Sequence, residues 1–259
     1  MTIDRNVLWS KLPLGLLTTQ IGSLPHSNID SAIGYCFQTD IPFHPQIPMR
    51  NNKEYMLVQA LDGLPGLISD DQGLISLDLN LWAKDSKLFN EKLNEIFENL
   101  NFSSTQLEDF LPTPDSATTW NPFLWELSEK KSDYAKIQIA GPLTCEWALK
   151  LPKETNQETR QEVSNQVFRL VFARALAMTR ALKNTGVTPI IFLDEPGFYS
   201  VLSPTINQKI AINQLKVMVE TLKKEDNLVG IHCCSNTHWE SVIGLNPDIL
   251  SIDTALSLE

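Results

Sequence analysis

The stretch Leu228-Val229-Gly230-Ile231-His232-Cys233-Cys234 decides the fold class of this chain. It is apolar and turns polar where a buried strand should end. About twenty residues on, Ile249-Leu250-Ser251-Ile252-Asp253-Thr254 repeats the pattern. Two such runs, separated by a connecting segment, read as neighbouring strands of a parallel α/β sheet. The carboxyl ends of such strands are where ligands bind and chemistry occurs. His, Cys and Asp are also among the few side chains that bind zinc. The two strand ends thus offer His232, Cys234 and Asp253 to one point in space, as candidate zinc ligands. Cys233 should face the opposite side of its strand and belong to the core.

Upstream, Pro189-Ile190-Ile191-Phe192-Leu193 reads as a buried strand closing on Asp194-Glu195-Pro196, and residues 135–140 as another that turns at Gly141-Pro142. Helices are predicted over about 155–184 and 206–225. The first has a capping-box start, Thr155-Asn156-Gln157-Glu158, and Gly186 to end it. Near the amino terminus, residues 15–20 form a strand candidate that breaks at Ile21-Gly22-Ser23-Leu24-Pro25-His26. A helix is expected over 29–38, then an extended segment over 41–48, where three prolines forbid a helix, then a helix over 52–62. Residues 67–133 read as an insertion, with a strand-like run at 74–79, an amphipathic helix at 84–99 and a loop at 103–121. The aromatic-rich 120–125 segment is expected to be a packed loop. Strand and helix alternate elsewhere, which predicts a TIM-type (β/α)8 barrel lacking its last two βα units, in a single domain spanning 1–259.

The length of 259 residues suits one such domain. A formal charge of −10 argues against a nucleic-acid or anionic-membrane partner, since either calls for a basic patch. The sequence has neither a signal-peptide pattern nor an apolar run of spanning length, so a cytoplasmic protein is expected. Four scattered cysteines make no disulfide framework, and reduced thiols follow. His26 and His44 fall on predicted strand-end loops, His238 at a helix start, and Cys145 after a strand turn.

With the strand ends placed, the chain resembles the catalytic barrel of cobalamin-independent methionine synthase, in the superfamily shared with uroporphyrinogen decarboxylase. The resemblance rests on Thr19-Gln20-Ile21-Gly22-Ser23-Leu24-Pro25, Leu193-Asp194-Glu195-Pro196, Ile231-His232-Cys233-Cys234 and Leu250-Ser251-Ile252-Asp253-Thr254. It implies that His232 and Cys234 match the zinc-binding His-x-Cys pair, with Asp253 where that family has glutamate. Ser23 and Asp194 match positions that hold the amino-acid substrate, and Glu195 follows in the same motif. The implied activity is zinc-dependent methyl transfer to a homocysteine-like thiol, with a methylated folate or a corrinoid protein as donor.

The chain departs from that family in three ways. No counterpart of the final cysteine ligand follows the sixth strand, so the sequence is a fragment, or another chain closes the barrel, or the fold is altered. The His-Gly-Glu segment that holds the substrate amino group is replaced by Phe43-His44-Pro45-Gln46-Ile47-Pro48-Met49-Arg50. Asp for Glu shortens one ligand by a methylene. Two other readings stay open: a metal-free decarboxylase-like barrel acting on a tetrapyrrole, for which Arg50 is an isolated cation, and a truncated non-catalytic paralogue or partner subunit.

Overall fold

A computed structural model describes residues 16–98, 107–200, 206–234 and 237–257. Its centre is a four-stranded parallel sheet in sequential order: β3 (Tyr134–Ala140), β4 (Thr188–Asp194), β5 (Leu228–Cys233) and β6 (Ile249–Ile252). Strands β1 (Leu67–Ser69) and β2 (Ile75–Leu77) form a separate antiparallel hairpin. The helices are α1 (Ile29–Cys36), α2 (Met56–Ala60), α3 (Leu79–Glu98), α4 (Trp120–Lys130), α5 (Pro142–Ala148), α6 (Gln157–Lys183), α7 (Ile206–Lys224), α8 (Trp239–Gly244) and α9 (Thr254–Ser257).

The expected (β/α)8 barrel is therefore corrected. The described residues make six strands in two sheets, and β3 and β6 end the larger one. The two segments expected as the first barrel strands are extended, yet each joins its neighbour only by an isolated bridge, Ser23 with Gln46 and Phe43 with Lys136. The cause lies in the sequence. Pro42, Pro45 and Pro48 have no amide hydrogen to extend a ladder, and Gly22 and Pro25 break the first segment. The amide of Gln46 still reaches Gly22 O at 2.8 Å, and that of His44 reaches Lys136 O at 2.9 Å. These segments lie beside β3 without becoming sheet.

The strand alternation fixes what each sheet face carries. Register pairs Ala140 with Asp194, Asp194 with His232, and His232 with Ser251. On the opposite face Ile137, Ile139, Ile191, Leu193, Val229, Ile231 and Cys233 are buried in the main core. Helix α6 packs there on β3 and β4, and α7 on β5. Asn156 caps α6, its Oδ1 accepting the Thr159 amide at 2.8 Å. The helix thus starts one residue later than the Thr155 capping box implies. Cys233 lies on the core face, as the period of two requires.

The 67–133 segment packs into the same core through Ile75, Leu77, Trp82, Leu93, Phe110, Trp120, Phe123 and Leu127. Residues 120–125, expected as loop, begin α4 instead. Trp120, Phe123 and Leu127 recur at helical spacing on its buried side, and Pro122 sits in the first turn, where a missing amide costs nothing. Among the described residues no helix is long and apolar enough to cross a membrane.

Candidate functional site

The polar sheet face opens on a cavity of about 400 Å³ at the carboxyl-terminal side of the strands. Lys136 and Gln138 of β3, Phe192 of β4, His232 of β5 and Ser251 of β6 form one wall. Thr19, Gln20, Ile21 and Ser23 of the first extended segment line the other side. A cavity of this size lies at the low end of the range for small-molecule sites, about 300–1,000 Å³.

Local sequence explains the wall. The β3 run Tyr-Ala-Lys-Ile-Gln-Ile-Ala puts Lys136 and Gln138 two residues apart, hence on one face, with isoleucines on the other. Gly230 makes room beneath the wall. A Cβ there would sit 2.5 Å from the Phe192 ring, so only glycine lets that ring lie against β5. Phe192 in turn belongs to a small apolar cluster with Ile41, Tyr134, Ile190 and Leu228.

The charged groups are linked. Lys136 Nζ donates to Gln20 O at 2.7 Å and to Gln138 Oε1, and it stands 5.0 Å from the Phe192 ring centre. Gln138 Nε2 donates to Asp194 Oδ2 at 2.5 Å. Asp194 is 1% exposed, and its second oxygen is buried without a partner among the described residues. Burial pushes the Asp194 carboxyl from 3.8 up to about 7, against the opposing pulls of the Gln138 amide and the Lys136 charge. Burial likewise brings Lys136 down to about 8, with Asp194 resisting. Burial thus works against the charged form of both Lys136 and Asp194.

His232 lies beside Asp194 in register, and its Nδ1 is 2.9 Å from Ser251 Oγ. Its pKa is lowered by burial and by the Lys136 charge, so the imidazole is neutral at physiological pH.

Of the residues singled out from the sequence, Ser23 and His232 line this cavity, and Asp194 sits behind its wall. Ser23 Oγ donates to Gln46 Oε1 at 3.3 Å. Glu195 goes elsewhere. It accepts from the amides of Leu143 (3.1 Å) and Thr144 (2.8 Å) and from the Thr144 hydroxyl (2.7 Å), at the amino end of α5. Gly141 is required there, since a Cβ would lie 2.2 Å from Glu195 Oε1. Burial also pushes Glu195 up to about 7, against those three donors.

His232, Cys234 and Asp253 are not gathered around a common point. Among the described residues no three His, Cys, Asp or Glu side chains are grouped as a cation would require. Cys234 is exposed, and Asp253 Oδ1 accepts the Ala255 amide at 2.9 Å, at the start of α9. This arrangement does not fit a zinc ion held by those three side chains. His44 is a core residue, with Nε2 3.1 Å from Thr119 Oγ1, the ring edge-on to Trp120, and its pKa driven down to about 3 by burial. His26 packs on Tyr35, His238 stands just before α8 with Nδ1 2.9 Å from Ser241 Oγ, Cys145 is buried, and Arg50 donates to Ser27 O at 3.2 Å.

Sequence reasoning passed over Lys136, Gln138 and Ser251. The signal for the first two was present: polar residues at alternate positions inside an otherwise apolar strand, where burial without a purpose is costly. No family model, curated protein or solved structure matches this chain.

Proposed function

We propose that the chain is an enzyme that carries out proton transfer on a small polar substrate bound in the cavity at the strand ends. One observation carries this reading. Lys136, Asp194 and His232 share one sheet face, are linked or adjacent in register, and sit in or directly behind the wall of a single cavity. Proton-transfer catalysis works best with groups that titrate close to the operating pH, and burial moves Lys136 and Asp194 toward it from opposite sides. His232, neutral and half-buried, is the group that exchanges protons with bound substrate. Asp194 acts through Gln138 and Lys136. Gln20 and Ser23 supply polar contacts on the facing side. Among the described residues Lys136 is the one basic side chain other than His232 that lines the cavity, which favours a compound with few acidic groups over a tetrapyrrole.

A second reading is methyl transfer to a thiol, as the resemblance to the methionine synthases implies, with a methylated folate or a corrinoid protein as donor. In its favour, Ser23 and His232 both line the cavity. With the residues as placed, the Lys136 ammonium would stabilise the thiolate by charge.

The test is ligand binding followed at the His232 ring by nuclear magnetic resonance, with panels of small keto acids, aldehydes, amines and thiols. Ile21 is 56% exposed and lines the cavity, so Ile21→Trp should fold normally while narrowing the space. The expected result is a ligand that shifts the His232 signals in wild type and binds at least tenfold more weakly to Ile21→Trp. Ligands that bind both proteins equally, or none that disturbs His232, would refute an active site here.

A further inference from the structure

We propose that Lys136 is a nucleophile that captures small aldehydes and ketones as an imine in the sheet-end cavity. The proposal rests on the reading of that cavity as an active site and deepens it by naming a substrate class. Three observations carry it. Lys136 is 4% exposed, yet it lines the cavity. Its hydrogen-bond partners among the described residues, Gln20 O and Gln138 Oε1, are both neutral acceptors, so no carboxylate of those residues is in direct contact to lock the nitrogen as ammonium. Groups able to move protons share the site, with Asp194 hydrogen-bonded to Gln138 and His232 lining the same cavity.

A purely structural lysine in such a place would be expected to meet its counter-ion directly, because a buried ammonium is costly to desolvate. Here Gln138 stands between Lys136 and Asp194, and the ammonium is weakened by burial toward about 8. A neutral amine has two N–H donors and one lone pair. It can keep both bonds, to Gln20 O and Gln138 Oε1, and hold the lone pair at the remaining tetrahedral position.

The chemistry balances with the groups present. Lys136 loses a proton to water or to the neutral His232 ring, and its lone pair attacks the carbonyl carbon. A C–N bond forms as the C=O π pair moves to oxygen, which takes a proton from solvent, or the one that His232 accepted from Lys136, to give a carbinolamine. The nitrogen gives up its extra proton. The hydroxyl, protonated in turn, leaves as water while the nitrogen lone pair closes the C=N bond. One amine and one carbonyl become one imine and one water, with no change in oxidation state. Protonated, the imine withdraws electrons from the adjacent carbon, so a proton there can be removed by His232. Hydrolysis by the reverse steps frees the lysine.

The test is reductive trapping of the full chain near pH 7.5. Pyruvate, acetoacetate or butanal is added with sodium cyanoborohydride, and the products are read by peptide mass mapping. The expected result is one dominant adduct on Lys136, formed at least tenfold faster than on any exposed lysine and absent in Lys136→Arg, which keeps the cation without a nucleophilic amine. Should Lys136→Arg fail to fold, the position of the wild-type adduct still decides. Adducts spread over exposed lysines, with Lys136 unmodified, would overturn the proposal. If these probes also shift His232, that outcome removes the imine and leaves the acid–base site standing. If they neither shift His232 nor mark Lys136, the imine proposal falls for these carbonyl compounds, and the ligand panel above then decides the active-site reading independently.

Discussion

Asp194 and Glu195 are consecutive carboxylates with nearly equal burial, and the pleat sends them to different work. Glu195 meets three donors at the start of α5 and serves a helix end. Asp194 meets one amide, keeps an oxygen without a partner, and stands one residue's reach from a lysine. The same division runs along the whole sheet. The helix-covered face carries isoleucine, leucine and valine with Ala135 and Cys233, and its energetics are those of burial. The cavity face carries Lys136, Gln138, Asp194, His232 and Ser251, and its energetics are those of charge held away from water. A polar group on the first face is there to satisfy the backbone. On the second, polar groups face one another and a space.

The largest expected contrast is in stability. Leu193 is fully buried on the helix face, so Leu193→Ala should destabilise the chain by about 2–5 kcal/mol in urea denaturation. Ser251→Ala, on the cavity face, should change stability by at most about 1 kcal/mol, one hydrogen bond with His232. Equal costs at the two positions would break the division between a structural and a chemical face.

A sharper form uses the two carboxylates and pH. Both have folded-state pKa values raised to about 7, so the native state holds these protons more tightly than the unfolded chain. Their contribution is therefore fully present below about pH 4 and is lost as pH rises through about 7. Wild-type stability should fall across that window, by at most about 1.4 kcal/mol per pH unit for each group. Asp194→Asn should flatten part of this slope. Glu195→Gln should also flatten it, and in addition should cost about 0.5–2 kcal/mol near neutral pH by weakening the helix cap. An Asp194→Asn slope identical to wild type would show that Asp194 is already ionised in this window.

Much of this arrangement is legible in residue order, and the part that is not has a physical cause. The strands ending at Ala140, Asp194 and Cys233 follow from buried apolar runs, and their parallel order from the helices between them, whereas β6 is apolar in sequence yet part-exposed at the sheet edge. A barrel did not follow. Closure depends on the pairing of residues 16–23 and 41–48, and pairing is decided by amide hydrogens that prolines remove rather than by hydrophobicity. The cavity position was readable from Ser23, Asp194 and His232, because strand ends carry chemistry. The role of Glu195 was hidden, since adjacency in sequence says nothing of the α5 amides it meets in space. Lys136 was missed because an apolar run hides its one cation from a search for conventional motifs.

The smallest effect tests whether the cavity face acts as a unit. The Lys136 charge is one of the influences that lower the pKa of His232, the larger being burial. Removing it in Lys136→Met should raise the His232 pKa toward its ordinary value without restoring it fully, because the ring stays half-buried. The measurement is imidazole proton chemical shift against pH. His44 serves as the internal control, since its burial against Trp120 and Phe123 keeps it neutral throughout the accessible range. A shifted His232 titration beside an unchanged His44 would show that the two strands share an electrostatic site. If His232 titrates identically in both proteins, Lys136 and His232 are neighbours on the wall of one cavity without being coupled. Proton transfer would then have to run through His232 and Ser251 alone.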